Sequence, residues 1–259
     1  MAMTKLKLGD EDVTRIGLGT NRLASTPENV AFIREAVDAG VDLIDTAHVY
    51  TDGESEQAIG AALSSGHKGA LVATKGGYGG AGRGRPEVVR AEVEESLRRL
   101  QSDCIDLYYL HRVDPETPLE ESLRAIDEYR KQGKVRLIGI SSVEIDQIAR
   151  ARQVVPVAAV QNHYSLSERR HEDVVEYCAR EGIVFVPYFP LRGDGPPELP
   201  EIANRHGATP EQIALAWLLR RSPTMLPIPG TLSLEHLRQN LASLEIELSD
   251  AEYEALGER

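Results

Sequence analysis

Four side chains in the first half of the chain have the types that proton-coupled carbonyl chemistry needs: Asp45, Tyr50, Lys75 and His111. A lysine ammonium beside a tyrosine stabilises the tyrosinate and lowers the phenol from its ordinary pKa of about 10. A carboxylate beside that lysine keeps it charged and fixes its position. A histidine within reach can hydrogen-bond a carbonyl oxygen or the tyrosine hydroxyl and so orient a substrate. Such a set yields a phenol that donates a proton to a carbonyl oxygen as hydride arrives at the carbon. No side chain supplies hydride, so the chemistry implies a redox cofactor. Taken singly, each residue also has a structural reading. Asp45 could cap a turn, Lys75 could be a solvated charge, His111 beside Arg112 could lie at the surface, and Tyr50 could be a half-buried loop aromatic.

These residues act together only if the fold brings them together. Eight short apolar runs punctuate the chain, at 16–19, 41–45, 70–75, 104–110, 135–140, 157–161, 183–188 and 225–228. Their length and β-branched content predict strands. The segments between them carry helical spacing: Val89, Val93, Leu97 and Leu100 in one, Leu119, Leu123 and Ile126 in another. Pro86 and Pro210 suit first helical positions, Thr209 with Gln212 has the spacing of a capping box, and Gly40 and Gly182 suit left-handed helix stops. Strands alternating with helices predict parallel strands with right-handed crossovers. Eight units suggest a closed (β/α)8 barrel forming one domain over 1–259, although a doubly wound sheet has the same local rhythm. The segment from Leu6 to Arg15 reads as a β-hairpin preceding the barrel and plugging its N-terminal end. In a barrel the site forms where strands end. Asp45, Lys75, His111, Ser141, Gln161 and Tyr188 each lie at or just past the end of a different run.

The bulk numbers narrow the classes. The 259 residues are 41% hydrophobic and 27% charged, a globular composition. No run approaches the roughly 20 apolar residues that span a bilayer, and the N-terminal residues lack a signal-type apolar run, so a cytoplasmic protein without a membrane partner is expected. A formal net charge of −12 disfavours nucleic acid. Two cysteines, Cys104 on a predicted strand and Cys178 on a predicted helix, form no CxxC pair, and the seven histidines form no HExxH, so no metal is expected. No heptad or long apolar stripe is evident, which suggests a monomer.

Over nearly its whole length the chain resembles the aldo-keto reductase family. The matching segments, in family order, are GLGTNRL (17–23), DLIDTAHVYTDGESEQAIG (42–60), ATKGG (73–77), DLYYLHRVD (106–114), IGISS (138–142), VQNHYSL (160–166), PYFPL (187–191) and IPGTLSLEHLRQN (228–240). The resemblance implies Asp45, Tyr50, Lys75 and His111 as a catalytic tetrad acting on small carbonyl compounds, with Tyr50 as proton donor. It implies NADPH as cofactor, with NADH possible. Gly19, Thr20 and Asn21 would line the cofactor's edge. Ser141 and Gln161 would bond the carboxamide with Ser142 nearby, and Tyr188 would stack on the nicotinamide. Leu191 would approach the pyrophosphate. Gly230, Thr231, Ser233, His236, Gln239 and Asn240 would hold the adenosine end. Where many members carry Lys and Arg for the 2′-phosphate, this chain has Gly230 and His236, leaving Arg192 and Arg238 as candidate replacements. The short loop after the seventh run and the short C-terminal tail imply an open cofactor cleft and a wide or shallow substrate pocket.

One motif points elsewhere. Gly77 to Gly82 matches GxGxxG, but three residues separate it from the helix start at Pro86, which disfavours a dinucleotide fingerprint. It reads instead as a mobile loop at the barrel mouth, with Tyr78 a candidate substrate contact. Two rival functions remain at this stage: a Schiff-base aldolase using Lys75, and a non-catalytic NADPH-binding regulatory module.

Overall fold

The apolar runs become the staves of a parallel barrel. The computed structural model describes residues 4–64 and 69–257; the first three residues of the N-terminal segment and the last two of the tail lie outside them. A hairpin comes first, β1 (Lys5–Leu8) with β2 (Glu11–Thr14), joined by Gly9 at φ 61°. Seven strands follow in parallel and in sequence order: β3 (Leu18–Gly19), β4 (Leu43–Asp45), β5 (Leu71–Gly76), β6 (Ile105–Leu110), β7 (Val135–Ser141), β8 (Val157–His163) and β9 (Val184–Tyr188). The helices are α1 (Pro27–Asp38), α2 (Glu54–Leu63), α3 (Pro86–Leu100), α4 (Leu119–Lys131), α5 (Ile145–Arg152), α6 (Glu172–Glu181), α7 (Leu199–His206), α8 (Pro210–Arg221), α9 (Leu234–Ala242) and α10 (Asp250–Gly257). Among the described residues, no helix is long and apolar enough to cross a membrane.

The eighth run closes the barrel without forming a regular strand. Leu226 donates to Phe185 O on β9, while Gly17 and Gly19 donate to the carbonyls of Pro227 and Pro229. The two prolines face β3 and have no N–H to return. The closing stave is therefore held by isolated bridges, Phe185 to Met225 and Gly19 to Gly230. Cys104 also differs from expectation, preceding β6 by one residue.

Helix chemistry follows the sequence signals. Thr209 and Gln212 bond reciprocally at the start of α8, Pro86 opens α3, and Gly182 ends α6 at φ 67°. One apolar layer joins the helices to the outer faces of the strands. A second fills the barrel interior, where Leu6, Leu8 and Val13 of the hairpin pack with Leu43, Leu107, Tyr109 and Val184. The hairpin thus plugs one end, and the opposite end, where the strands terminate, is left to polar residues.

Candidate active site

Each polar strand end arrives at the same mouth. Asp45 is the last residue of β4, Lys75 the penultimate of β5, and Ser141 the last of β7. His111 follows β6 directly, its N–H bonded to Gly76 O at 2.7 Å. Gln161 pairs with Ser141 across β7 and β8, and β8 runs two residues further to pair His163 with Tyr188. Tyr50 comes from the turn after β4. Thr51 and Asp52 are left-handed there (φ 46° and 55°), and the Thr51 hydroxyl donates to Leu23 O at 2.7 Å. Ser142 and Phe189, which follow β7 and β9, are also left-handed. Among the described residues, four of the five non-glycine residues with positive φ thus flank this mouth, a clustering typical of functional sites.

Lys75 is fully buried. Its Nζ donates to Asp45 Oδ1 at 2.5 Å and to Thr46 O at 2.7 Å, and lies 3.5 Å from the Tyr50 hydroxyl. Asp45 accepts a second bond from Gln161 Nε2 at 2.8 Å. Burial opposes the charge on Lys75, but Asp45 and Tyr50 outweigh it and raise its pKa. Burial likewise raises the Asp45 carboxyl, against Lys75 and Gln161. With the carboxylate accepting both bonds, the pair is held ionised. A lysine so enclosed presents no amine to a carbonyl, which removes the geometric basis of the aldolase reading.

The phenol corrects one expectation. Burial raises the Tyr50 pKa, and the attraction of Lys75 only partly offsets it. Tyr50 therefore stays protonated through neutral pH. His111 is held neutral, lowered to about 2 by burial, then by Lys75 and Arg112. Its Nδ1 is buried with no hydrogen-bond partner among the described residues, and its ring stands edge-on to Tyr50 with centroids 6.0 Å apart.

A cavity of about 550 Å³ opens over these groups. Its lining includes Gly19, Thr20, Asn21, Asp45, Tyr50, Tyr78, His111, Ser141, Gln161, Tyr188, Leu191, Arg192 and Gly230. A second cavity of about 470 Å³ shares Gly19 to Arg22 and Gly230 with the first and adds Thr231, Ser233 and His236 at the N-terminus of α9. The two form one elongated groove, from the Tyr50 end to a helix terminus suited to an anion. Ser142 lies behind the wall, its hydroxyl 3.3 Å from that of Tyr188. Gln239 and Asn240 line neither cavity: Asn240 is buried, and the Gln239 carbonyl accepts from Gln212. Arg238 also lies outside both, and α7 begins within a few residues of Arg192, as the short loop implied.

The glycine loop is committed elsewhere. Gly82 and Gly84 donate to the Asp114 carboxylate at 3.1 and 2.7 Å, and Gly77 donates to Glu92 at 2.5 Å. Amides bound to carboxylates are not offered to a phosphate, and the loop is pinned, not loose. It carries Tyr78 to 4.7 Å from the His111 ring. The sequence reading missed Arg22, Phe189 and Arg112, all on the cavity wall. Arg112 adjoins His111 in the chain, and that adjacency was the available signal.

The aldo/keto reductase family profile matches residues 15–196 and 194–258. An uncharacterized oxidoreductase of Schizosaccharomyces pombe is 36% identical, covering 98% of this chain and 89% of its own. Pyridoxine 4-dehydrogenase of Escherichia coli is 35% identical, covering 96% of each. Among solved structures, a thermostable aldo-keto reductase in complex with the inhibitor epalrestat superposes with a TM-score of 0.90 at 34% identity, covering 98% of this chain and 99% of that one. An aldo-keto reductase from Klebsiella pneumoniae in complex with NADPH gives 0.89 at 30% identity, covering 99% and 94%.

Proposed function

Because the chain belongs to the aldo/keto reductase family, we propose that it is an NADPH-dependent reductase of aldehydes and ketones in which Tyr50 is the proton donor. The observation that carries this reading is the file Asp45–Lys75–Tyr50, set beside a neutral His111 at one end of a groove that continues to the start of α9.

The groove fits NADPH in its chemistry. Tyr188 offers a ring, with Ser141 and Gln161 close by to bond a carboxamide. Leu191 and Arg192 lie on the intermediate wall, and Gly230, Thr231, Ser233 and His236 stand at the far end beside the start of α9. The chemistry NADPH supplies when bound is hydride, delivered to a carbonyl carbon. The protein's part is the oxygen. The protonated Tyr50 hydroxyl donates to it as negative charge develops, and Lys75 stabilises the phenolate left behind. His111, kept neutral, orients the carbonyl, and Asp45 holds Lys75 in register. The related structure with NADPH and the relative named as a pyridoxine dehydrogenase support both the cofactor and the reaction class.

The test follows NADPH consumption with an activated aromatic aldehyde in wild type and Tyr50→Phe. We expect turnover by wild type, and a loss of about 10²–10⁴-fold in the variant with fluorescence quenching on NADPH binding retained. Equal rates would remove Tyr50 as donor. Binding without turnover across a broad carbonyl panel would favour a regulatory module.

A further inference from the structure

The cavity wall is electrostatically at odds with the chain. The protein carries a net charge of −12, yet the charged residues lining the first cavity are Arg22, Arg112, Arg192 and Asp45. Asp45 is already bound by Lys75 and Gln161. Arg22 also lines the second cavity, and Arg192 a third, beyond Leu191. Both arginines therefore stand where the groove leads away from Tyr50. Arg112 lines the first cavity among Tyr50, Tyr78 and His111, and neither of those two neighbouring cavities.

Arg112 is half-buried and has no carboxylate within ion-pair distance among the described residues. Its guanidinium lies over two rings, 6.0 Å from the Tyr78 centroid and 5.8 Å from that of Tyr188. Ring faces hold a guanidinium in place without using its N–H fork, which matches a carboxylate bidentately. Its charge reaches both Tyr50 and His111. A cation kept partly dry and unpaired at the reacting end of the cavity is costly unless a ligand completes it.

We propose that Arg112 is a specificity-determining residue that selects carbonyl substrates bearing a carboxylate, which its guanidinium binds while the carbonyl lies at Tyr50 and His111. The proposal rests on the reductase reading above. Tyr78 and Tyr188 hold the guanidinium, and the exposed ring of Phe189 adds an apolar rim for the body of the substrate.

The test compares 4-carboxybenzaldehyde with its neutral analogue, methyl 4-formylbenzoate. In wild type we expect kcat/KM for the acid to exceed that for the ester by at least about tenfold, the scale of one hydrogen-bonded charge pair. In Arg112→Met that ratio should collapse toward one, through a higher KM for the acid. Arg112→Lys should recover part of the ratio, since it restores charge but not the fork. A wild-type ratio near one, or a ratio unchanged in Arg112→Met, would overturn the proposal while leaving the reductase intact. If wild type reduces neither aldehyde, the broad carbonyl panel decides the reductase reading and calorimetric titration decides the carboxylate site. Benzoate bound at least about tenfold more tightly than benzamide, with the difference lost in Arg112→Met, supports the site; equal affinities overturn it.

Discussion

Tyr50 is the residue where burial and charge compete, and burial wins. A phenol pushed up by its surroundings is protonated below its pKa and loses the transferable proton only above it. Reduction measured at saturating cofactor should therefore be flat from about pH 6 to pH 9 and fall only toward about pH 10 and above. His111 adds no acid limb in that range, because its imidazole charges only near about 2. An alkaline limb centred below about pH 8 would restore the lowered phenol pKa expected from the sequence. The lysine behind the phenol has a different signature. Lys75→Met should abolish turnover and also destabilise the fold by about 3–5 kcal/mol, because it leaves Asp45 buried without its countercharge. Tyr50→Phe should lower turnover by the same factor of about 10²–10⁴ with stability held within about 1 kcal/mol. Urea melts of both variants separate the two roles. Equal stabilities would mean that water replaces the ammonium beside Asp45.

Elements carry these residues, and here spacing foretold more than chemistry did. The six strand-end residues converge because parallel staves must end at one rim, a consequence of topology that the apolar runs already contained. The glycine loop was less legible. Its anchor, Asp114, is distant in sequence, and nothing local to Gly77–Gly82 signals that a carboxylate from beyond β6 will collect its amides. That carboxylate also accepts from Glu116 N–H and the Thr117 hydroxyl. Burial works against its charge, but these bonds hold its pKa down to about 2. Asp114→Ala should free the loop and open the Arg83–Gly84 bond to trypsin. Loss of even one bond to the carboxylate, about 1.5–3 kcal/mol, predicts cleavage at least about tenfold faster. Unchanged cleavage would show that Glu92 alone pins the loop. Arg112, Arg22 and Phe189 escaped the reading for a related reason. Strand-end counting assigns directions within a strand, but a side chain one to three residues past it points where its own turn sends it.

At the scale of the whole molecule the barrel has a seam. Parallel ladders join β3 through β9, but between β3 and the closing stave Gly17 and Gly19 donate to prolines that return nothing. The sequence displayed both prolines, yet an apolar run reads the same whether or not its nitrogens carry hydrogen. Arg15 reinforces this seam from the chain just before β3. Its guanidinium donates to the carbonyls of Leu219, Ser222 and Met225, at 2.7, 2.5 and 3.3 Å. These carbonyls belong to the end of α8 and the turn into the closing stave, so one buried side chain ties the first stave to the last. Burial lowers its pKa to about 10, which leaves it charged at neutral pH. Arg15→Met should cost about 2–4 kcal/mol, since apolar replacement leaves buried carbonyls unsatisfied. The loss should be localised as well as global. Hydrogen exchange should accelerate first at 16–19 and 225–230, while β5, which carries Lys75, keeps its protection. Because the groove crosses this seam at Gly19 and Gly230, the same variant should bind NADPH more weakly. Uniform acceleration across all strands would instead mean that the barrel opens as one unit and that its closing stave is no weaker than the rest.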